Sequence, residues 1–392
     1  GFPGDIESWC VGIYNRSGSA RRISISVEQE NAGLRMRLLA PVVAANGRIM
    51  YDAIRSIDAK GQVDVLPSEL QFLWFDVPIV AVEGDSRANK VSIRDGERVI
   101  LSVELTTTAL RGQAGRRARI NTWAYYDDVP IWSHAEHAAE LLHRHGVNVS
   151  TIHHKRIPMP TISRRWDIQG EARLREALKA VNDDDEVLLY LNWSRDRLGE
   201  YGLPFLDWQS EEPTSEVVAA VTSWLARLKL VLRESGVQQS RWALYPVDEP
   251  TSKDVDYLRR IVKLIKSIDR SVRIYINPTF TPGSLAFTSV DDLRPLAPYV
   301  DIWQPRLELV KGHGSAFYQG VAGEFWIYEN PPYPAKAAEP LRDYMLLGWE
   351  AWARAASGFG VWSFSDTWQT SAWNDFDGHK GDWAMPYETP NG

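Results

Sequence analysis

The sequence predicts an antiparallel β-sandwich over residues 1–118, followed by an α/β domain with a (β/α)8 TIM-barrel fold over residues 119–392. Two patterns lead to this prediction. Residues 1–118 contain strand-like runs separated by turn signals, with no convincing helix. From residue 119 onwards, apolar strand-like runs alternate with helical patterns through eight strands over about 250 residues, which is the size and strand count of this barrel.

The N-terminal region shows the apolar–polar alternation of half-buried strands. In RRISISVEQE, Ile23, Ile25 and Val27 alternate with polar neighbours, and GERVILSVELTTTAL is rich in β-branched residues. The turn signals RSGS, ANG, AKG and RDGE separate such runs. This is the pattern of a β-sandwich, and it ends near residue 119.

The barrel strands follow in order along the second region. They are predicted in RINTWAYYDD, VNVSTIHH, EVLLYLNWSRD, RWALYPVDEP, SVRIYINPT, YVDIWQPRLE, EFWIYENPPYP and FGVWSFSDTW. Helices are predicted around SHAEHAAELLHRHG, GEARLREALKAV, SEVVAAVTSWLARLKLVLRESG, DVDYLRRIVKLIKSI and AEPLRDYMLLGWEAWARAASG. The helix after the fourth strand is supported by Val255, Leu258, Ile261, Val262 and Ile265, which recur at helical spacing.

Composition narrows the class of protein. The 392 residues are 44% hydrophobic and 24% charged, an ordinary globular balance, and no apolar run reaches the roughly eighteen residues of a membrane span. A net charge of −7 disfavours nucleic acid and anionic membrane surfaces as partners, and the basic runs at 115–120 and 163–166 are interpreted as solvated loop charges.

The single cysteine, Cys10, excludes an intrachain disulfide. The start at Gly1 indicates a processed or excised product, so the compartment stays open.

The chain contains 17 Trp and 15 Tyr, which suit either a large aromatic core or flat platforms for sugar rings. Active sites of (β/α)8 barrels lie at the C-terminal ends of the strands. Polar and aromatic residues collect at these predicted ends: Tyr125, Tyr126, Asp127, Asp128, His153, His154, Asn192, Trp193, Asp248, Glu249, Asn277, Gln304, Tyr328, Glu329 and the segment from Trp362 to Trp368. The sequence therefore predicts a ligand site at this end of the barrel.

Two adjacent acids, Asp248 and Glu249, are predicted at the last positions of the fourth strand. Two close carboxylates do not both ionise freely, and such a pair can divide the roles of acid and charged partner that glycoside cleavage requires. The competing interpretation makes Asp248 a cap of the next helix and places Glu249 in a buried ion pair. Ser252 and Asp254 are better placed as helix caps.

The segment YPVDEP resembles the catalytic signature of the family 123 glycoside hydrolases, the β-N-acetylgalactosaminidase family. Three further segments are similar to that family: ERVILSVELTTTALRGQAGRRARI, EFWIYENPPYP to FGVWSFSDTW, and AWNDFDGHKGDWAMPYETPNG. The resemblance spans about residues 70–392, and the chain ends where the family's closing segment is expected to continue.

Family 123 is similar in mechanism to the family 20 hexosaminidases, and the resemblance implies substrate-assisted catalysis. Glu249 would be the general acid/base. Asp248 would accept a hydrogen bond from the substrate's 2-acetamido N–H and stabilise a cyclic oxazolinium intermediate. The implied activity is a retaining hydrolase that releases a terminal β-linked N-acetylhexosamine, with N-acetylgalactosamine favoured, from an oligosaccharide or glycoconjugate. Galacto and gluco sugars differ in the orientation of the C4 hydroxyl, and no motif of the sequence indicates which orientation is bound.

Two alternatives remain open. Many retaining glycosidases of this fold carry the acid/base on the fourth strand after Asn and the nucleophile on the seventh, so Glu249 and Glu329 form a possible pair acting on a sugar without an acetamido group. An ionised Asp only accepts hydrogen bonds, which suits an amide N–H and favours substrate assistance, with Glu329 binding a hydroxyl. The other alternative is a non-catalytic carbohydrate-binding protein on a hydrolase scaffold.

The remaining candidates are single residues with predicted substrate-binding roles. Tyr328 is a candidate to bind the acetamido carbonyl, and Trp303, Trp362 and Trp368 are candidates to wall the sugar pocket. Asn277, Gln304, Asn192 and His153 are predicted polar pocket groups. No cofactor and no metal are predicted, because His134 and His137 lack a metal-binding motif and the spacing of Asp375, Asp377 and Asp382 fails the EF-hand pattern.

Overall fold

The computed structural model describes residues 6–29, 33–43, 49–57, 61–79, 84–109, 118–124, 135–210, 212–279, 290–311, 314–321, 323–330 and 341–364. Internal contacts divide the chain into two compact units, Gly1–Arg117 and Ala118–Gly392. Within the described residues, no helix combines the length and apolar character that a bilayer span requires.

The first unit is a β-sandwich of two four-stranded antiparallel sheets, as predicted. One sheet has the order β1-β6-β3-β4 and the other has the order β5-β2-β7-β8. The strands are β1 (Ile6–Tyr14), β2 (Arg21–Gln29), β3 (Arg35–Val43), β4 (Ile49–Ser56), β5 (Gln62–Val65), β6 (Leu70–Pro78), β7 (Ser86–Asp95) and β8 (Arg98–Thr108). Ile23 and Ile25 of β2 pack in one cluster with Leu73 and Phe75 of β6, so both sheets contribute to a single core.

The second unit is a closed barrel of eight parallel strands, which confirms the predicted fold class. The order around the barrel is β10-β11-β12-β13-β14-β15-β16-β9. The strands are β9 (Arg119–Asn121), β10 (Val149–Ile152), β11 (Glu186–Tyr190), β12 (Trp242–Tyr245), β13 (Arg273–Ile276), β14 (Ile302–Trp303), β15 (Glu324–Glu329) and β16 (Gly358–Val361).

Helices cover the outside of the barrel. They are α1 (Ala135–Arg144), α2 (Ile168–Leu178), α3 (Ser215–Glu234), α4 (Val255–Ile268), α5 (Leu307–Val310), α6 (Gly314–Val321) and α7 (Leu341–Ala353). In the described part of the chain, 3-10 helices span His154–Arg156, Arg195–Arg197, Pro204–Leu206, Gln239–Arg241 and Val290–Leu296. The N-cap residue of α4 is Asp254, whose carboxylate accepts hydrogen bonds of 2.8 Å from the N–H and the hydroxyl of Thr251.

Side-chain alternation along the strands separates an interior layer from an outer layer. The interior cluster contains aromatic side chains from neighbouring strands, with ring centroids 4.9 Å apart for Tyr190 and Tyr245, and 4.6 Å apart for Tyr245 and Tyr275. On β15, Trp326 and Tyr328 belong to this interior cluster, whereas Ile327 belongs to the outer cluster packed against the helices. Part of the tryptophan and tyrosine content therefore fills the barrel interior.

A buried charge network lies at the N-terminal ends of the barrel strands. Glu186 begins β11 and is 0% exposed, and its carboxylate is bonded by Arg273 and lies 3.4 Å from Arg119. Arg273 also donates to Glu324 at 2.6 Å. Burial raises the pKa of the Glu186 carboxyl and the charge of Glu324 raises it further, whereas the charges of Arg273 and Arg119 lower it. The network links β9, β11, β13 and β15 at the end of the barrel opposite the predicted site.

Candidate active site

The acid pair lies beyond the fourth barrel strand. Strand β12 ends at Tyr245, so Asp248 and Glu249 follow it in a loop and do not occupy its last positions as predicted. Glu249 has a φ of +43°, a left-handed conformation that costs a non-glycine residue on the order of 1 kcal/mol. Adjacent side chains of a strand point to opposite faces, but a loop is not bound by this alternation. Both carboxylates accordingly line the same cavities.

Asn277 holds the two acids together. Its amide nitrogen donates to Asp248 Oδ1 at 2.9 Å, and its amide oxygen accepts from the backbone N–H of Glu249 at 3.0 Å. The hydroxyl of Tyr245 donates to the same Asp248 oxygen. Asn277 is 2% exposed and follows β13, so a neighbouring strand fixes the loop after β12. Asp248 is thus bound by side chains of the site, and the N-cap position of α4 belongs to Asp254.

Glu249 has the environment of a proton donor. Burial raises the pKa of its carboxyl, and the negative charge of Asp248 raises this pKa further. A 2.5 Å hydrogen bond from the Tyr328 hydroxyl to Glu249 Oε1 and the charge of Arg306 act in the opposite direction. The net effect favours the protonated form of Glu249 relative to an exposed glutamate.

Two cavities of different size meet at the acid pair. The smaller cavity has a volume of about 140 Å³, and its described lining consists of Trp123, Asp248, Glu249, Asn277, Tyr328, Asn330 and Trp362. The larger cavity has a volume of about 910 Å³, and its described lining consists of His153, His154, Lys155, Ile157, Met159, Thr161, Asp167, Arg173, Tyr190, Asn192, Ser194, Arg197, Glu200, Tyr201, Asp248 and Glu249. Only the two acids are common to both linings among the described residues. A substrate that spans the cavities would place a bond beside them.

The described contacts of Glu329 lie outside the acid pair. Its neighbours Tyr328 and Asn330 line the smaller cavity, and Glu329 is in the described lining of neither cavity. Its carboxylate pairs with Arg306 at 3.5 Å and accepts from the backbone N–H of Asn330 at 2.9 Å. Burial raises the pKa of Glu329, the charge of Glu308 raises it further, and Arg306 lowers it.

The other predicted site residues divide into three groups. Trp362 lines the smaller cavity, and His153 and Asn192 line the larger one. Trp303 and Gln304 are in the described lining of neither cavity. The predicted residues Tyr125, Tyr126, Asp127, Asp128, His134, Trp368, Asp375, Asp377 and Asp382 lie outside the described residues.

Trp303 and Gln304 are both 0% exposed, but they face opposite sides of the barrel wall. Trp303 packs outward, with ring centroids 5.7 Å from Phe317 and 5.6 Å from Tyr318. Gln304 accepts from the Tyr275 hydroxyl at 2.7 Å and donates to the Ile327 carbonyl at 3.2 Å. One is core packing and the other belongs to an interior hydrogen-bond network.

The structure also adds residues that sequence reasoning missed. Trp123 and Asn330 line the smaller cavity, and Tyr201 lines the larger one. The sequence could have indicated Asn330, because it lies two residues after Tyr328 and alternation places both side chains on the same face. Trp123 was obscured because the first strand was predicted to continue to Asp128, whereas β9 ends at Asn121.

A metal site is not associated with the acid pair in the described part of the chain. The described side chains close enough to share an ion are His143, Asp184 and Asp185, whose ligand atoms lie within 4.8 Å of one another. They lie at the C-terminus of α1 and before β11, at the opposite end of the barrel, and Asp184 is exposed.

Comparison with known proteins gives a similarity of structure. No family model matches the chain, and no curated protein matches it. A family 123 glycoside hydrolase from Clostridium perfringens, described in connection with glycolipid glycan hydrolysis, matches with a TM-score of 0.63 and 13% identity over 93% of this chain and 73% of that one. A Thermotoga petrophila endo-1,4-β-D-mannanase matches with a TM-score of 0.43 and 11% identity over 63% of this chain and 87% of that one. The match to the family 123 enzyme shows that this chain shares its fold.

Proposed function

We propose that the protein is a retaining glycoside hydrolase that releases a terminal β-linked N-acetylhexosamine, with N-acetylgalactosamine as the preferred sugar. The observation that supports this proposal most directly is the position of Asp248 and Glu249, side by side at the meeting point of two cavities. The fold similarity to a family 123 enzyme, which is described as acting on glycolipid glycans, agrees with it.

In the proposed reaction, protonated Glu249 donates its proton to the glycosidic oxygen as the bond to C1 breaks. The acetamido carbonyl oxygen of the substrate attacks C1 and forms an oxazolinium ring. Asp248 accepts a hydrogen bond from the acetamido N–H and stabilises the positive charge that develops there. Ionised Glu249 then removes a proton from water, which opens the ring at C1, and the product retains its β configuration.

The surroundings of each acid support this division of roles. The raised pKa of Glu249 favours the protonated form that the first step requires. Among the described residues, two side chains donate to Asp248, those of Tyr245 and Asn277, and both donate to one oxygen, Oδ1. The other oxygen is the natural acceptor for the substrate amide.

The position of Glu329 bears on the alternative with two catalytic glutamates. A nucleophile must reach C1 of a sugar whose glycosidic oxygen contacts Glu249. Glu329 instead pairs with Arg306, and its neighbours on either side line the smaller cavity. This geometry supports a structural role for Glu329 and favours the acetamido group as the nucleophile.

The proposal is tested by hydrolysis of 4-nitrophenyl β-N-acetylgalactosaminide and 4-nitrophenyl β-galactoside. We expect the wild type to cleave only the acetamido sugar and Asp248→Asn to lose this activity. Asp254→Asn is the matched control, because Asp254 occupies the N-cap position of α4, lines neither cavity, and Asn keeps an oxygen that can accept from Thr251. Equal or preferred cleavage of the galactoside would contradict substrate assistance. Binding of the sugar without turnover by the wild type would favour the non-catalytic alternative.

A further inference from the structure

We propose that His143, Asp184 and Asp185 bind a divalent transition-metal ion, with Zn²⁺ as the best match, and that this ion joins helix α1 to the start of strand β11. The cluster lies at the end of the barrel opposite the acid pair, so the inference is independent of the proposed function.

Two buried polar atoms of this cluster face one another without a hydrogen bond. Asp185 is 3% exposed, and its Oδ1 atom lies 3.9 Å from His143 Nδ1. Neither atom has a hydrogen-bond partner among the described residues. A buried polar atom without such a partner lowers stability, and buried polar atoms of this kind commonly bind an ion or a water molecule.

The separation of the two atoms suits an ion shared between them. Zn²⁺ binds imidazole nitrogen and carboxylate oxygen at about 2.0–2.2 Å, so two of its ligand atoms lie about 3–4 Å apart. The carboxylate of Asp184 completes the cluster, with the three ligand atoms within 4.8 Å of one another. Because Asp184 is exposed, a change of its side-chain rotamer can bring this carboxylate nearer to the ion.

The turn before β11 is held in place by hydrogen bonds. Asp185 Oδ2 accepts from the Ser150 hydroxyl at 2.8 Å and from the backbone N–H of Asn182 at 3.3 Å. Arg241 donates to the backbone carbonyls of Asn182 and Asp185, at 2.6 Å and 2.9 Å. These bonds occupy one carboxylate oxygen of Asp185 and leave the other for an ion, which is how outer hydrogen bonds orient ligating carboxylates in metal sites.

The chemistry of the three side chains selects the class of ion. Mg²⁺ and Ca²⁺ prefer sites made of oxygen alone, whereas an imidazole nitrogen suits Zn²⁺ and its neighbours in the first transition series. Two ionised carboxylates balance the charge of a divalent ion. A water molecule between His143 and Asp185 would satisfy both buried atoms, but it would not offset the charges of the two aspartates.

The ion would connect parts of the chain that are distant in sequence. His143 lies in the last turn of α1, and the aspartates directly precede or adjoin the start of β11, with β10 and α2 between them in the chain. An ion that binds only the folded chain stabilises it. The inferred role is therefore structural.

The test measures binding of Zn²⁺ to protein that has been treated with EDTA and dialysed. In isothermal titration calorimetry, the affinity for Zn²⁺ should fall at least about tenfold in His143→Gln and in Asp184→Asn. An excess of Zn²⁺ should raise the melting temperature of the wild type by about 2–4 °C, and Ca²⁺ or Mg²⁺ should raise it less. The replaced side chains are partly or fully exposed, and if one variant does not fold, the other decides the test.

The matched controls are His137→Gln on the same helix and Asp183→Asn in the same turn, since neither residue belongs to the cluster. Both controls should keep the zinc affinity and the melting-temperature shift of the wild type. The inference would be overturned by a wild type that binds no Zn²⁺, by an equal loss of affinity in variants and controls, or by tighter binding of Ca²⁺ or Mg²⁺.

Discussion

Replacing Asn277 by Asp tests whether the acid pair depends on its bridging amide. The substitution keeps the side-chain shape and the oxygen that accepts from the Glu249 N–H, but it replaces the group that donates to Asp248. In its ionised form the introduced carboxyl can only accept, so the bond to Asp248 is lost in that form. The introduced carboxyl also places a third acidic group beside the pair.

The expected loss follows from the strength of that bond. A hydrogen bond to a charged group contributes about 1.5–3 kcal/mol, which corresponds to about 10- to 150-fold in kcat/KM if the bond is needed to position Asp248. Repulsion between ionised carboxylates adds to this loss at neutral pH. As the pH falls, the introduced carboxyl gains a proton and can donate to Asp248 again. The ratio of mutant to wild-type kcat/KM should therefore rise as the pH is lowered.

The assay is hydrolysis of 4-nitrophenyl β-N-acetylgalactosaminide from pH 4 to pH 8. The matched control is Asn182→Asp, because Asn182 also donates to a buried aspartate, Asp185, but before β11 at the other end of the barrel. That variant should lower the melting temperature without changing kcat/KM. A loss below about threefold in Asn277→Asp, or a mutant to wild-type ratio that does not vary with pH, would refute the reasoning.

Three further predictions concern single charged groups. Burial raises the pKa of Glu249 above its ordinary value of 4.5, so its ionised form destabilises the fold at neutral pH. Glu249→Gln should therefore raise the melting temperature at pH 7 and leave it unchanged near pH 4. An unchanged melting temperature at pH 7 would contradict this prediction. Glu329→Gln should keep kcat/KM within about threefold of wild type, whereas complete loss of turnover would favour the mechanism with two glutamates. Arg273→Met leaves the buried carboxylate of Glu186 without its main partner, and it should lower the free energy of unfolding measured in urea by about 3–5 kcal/mol. Lys263→Met, the control at an exposed ion pair, should lower the same free energy by at most about 1 kcal/mol.

The sequence predicts the barrel well because hydrophobic pattern and chain order determine it. Each strand-like run alternates with a helical pattern, and parallel strands joined by helices close in sequence order. The pattern does not reveal where each strand ends. Strand β14 spans Ile302–Trp303, and the sequence predicts pocket positions for Trp303 and Gln304 from their place at its end. In the structure, both side chains are fully buried. Their height relative to the cavities depends on the register between strands, which one strand's sequence does not contain.

The direction of side chains at the strand ends shows the same limit for Glu329. Alternation in β15 predicts that Tyr328 and Glu329 point to opposite sides, but not which of them faces the barrel interior. The closed barrel places Tyr328 inside, where its hydroxyl donates to Glu249. On the proposed mechanism, Glu329 has the sequence position of a nucleophile but does not act as one.

The acid pair is better understood as a feature of two strands than as a motif of one. Adjacent side chains can face one cavity only where the backbone leaves the strand conformation, and Glu249 does so at a φ of +43°. Such a conformation persists only when the surroundings hold it in place. Ala243 of β12 pairs with Arg273 of β13, and continuing this register by four residues brings Asn277 level with the start of the acid loop. The residues DEP provide the acids, but the neighbouring strand provides the amide that fixes their geometry, so the same three residues beside a strand without that amide would not be expected to form this site.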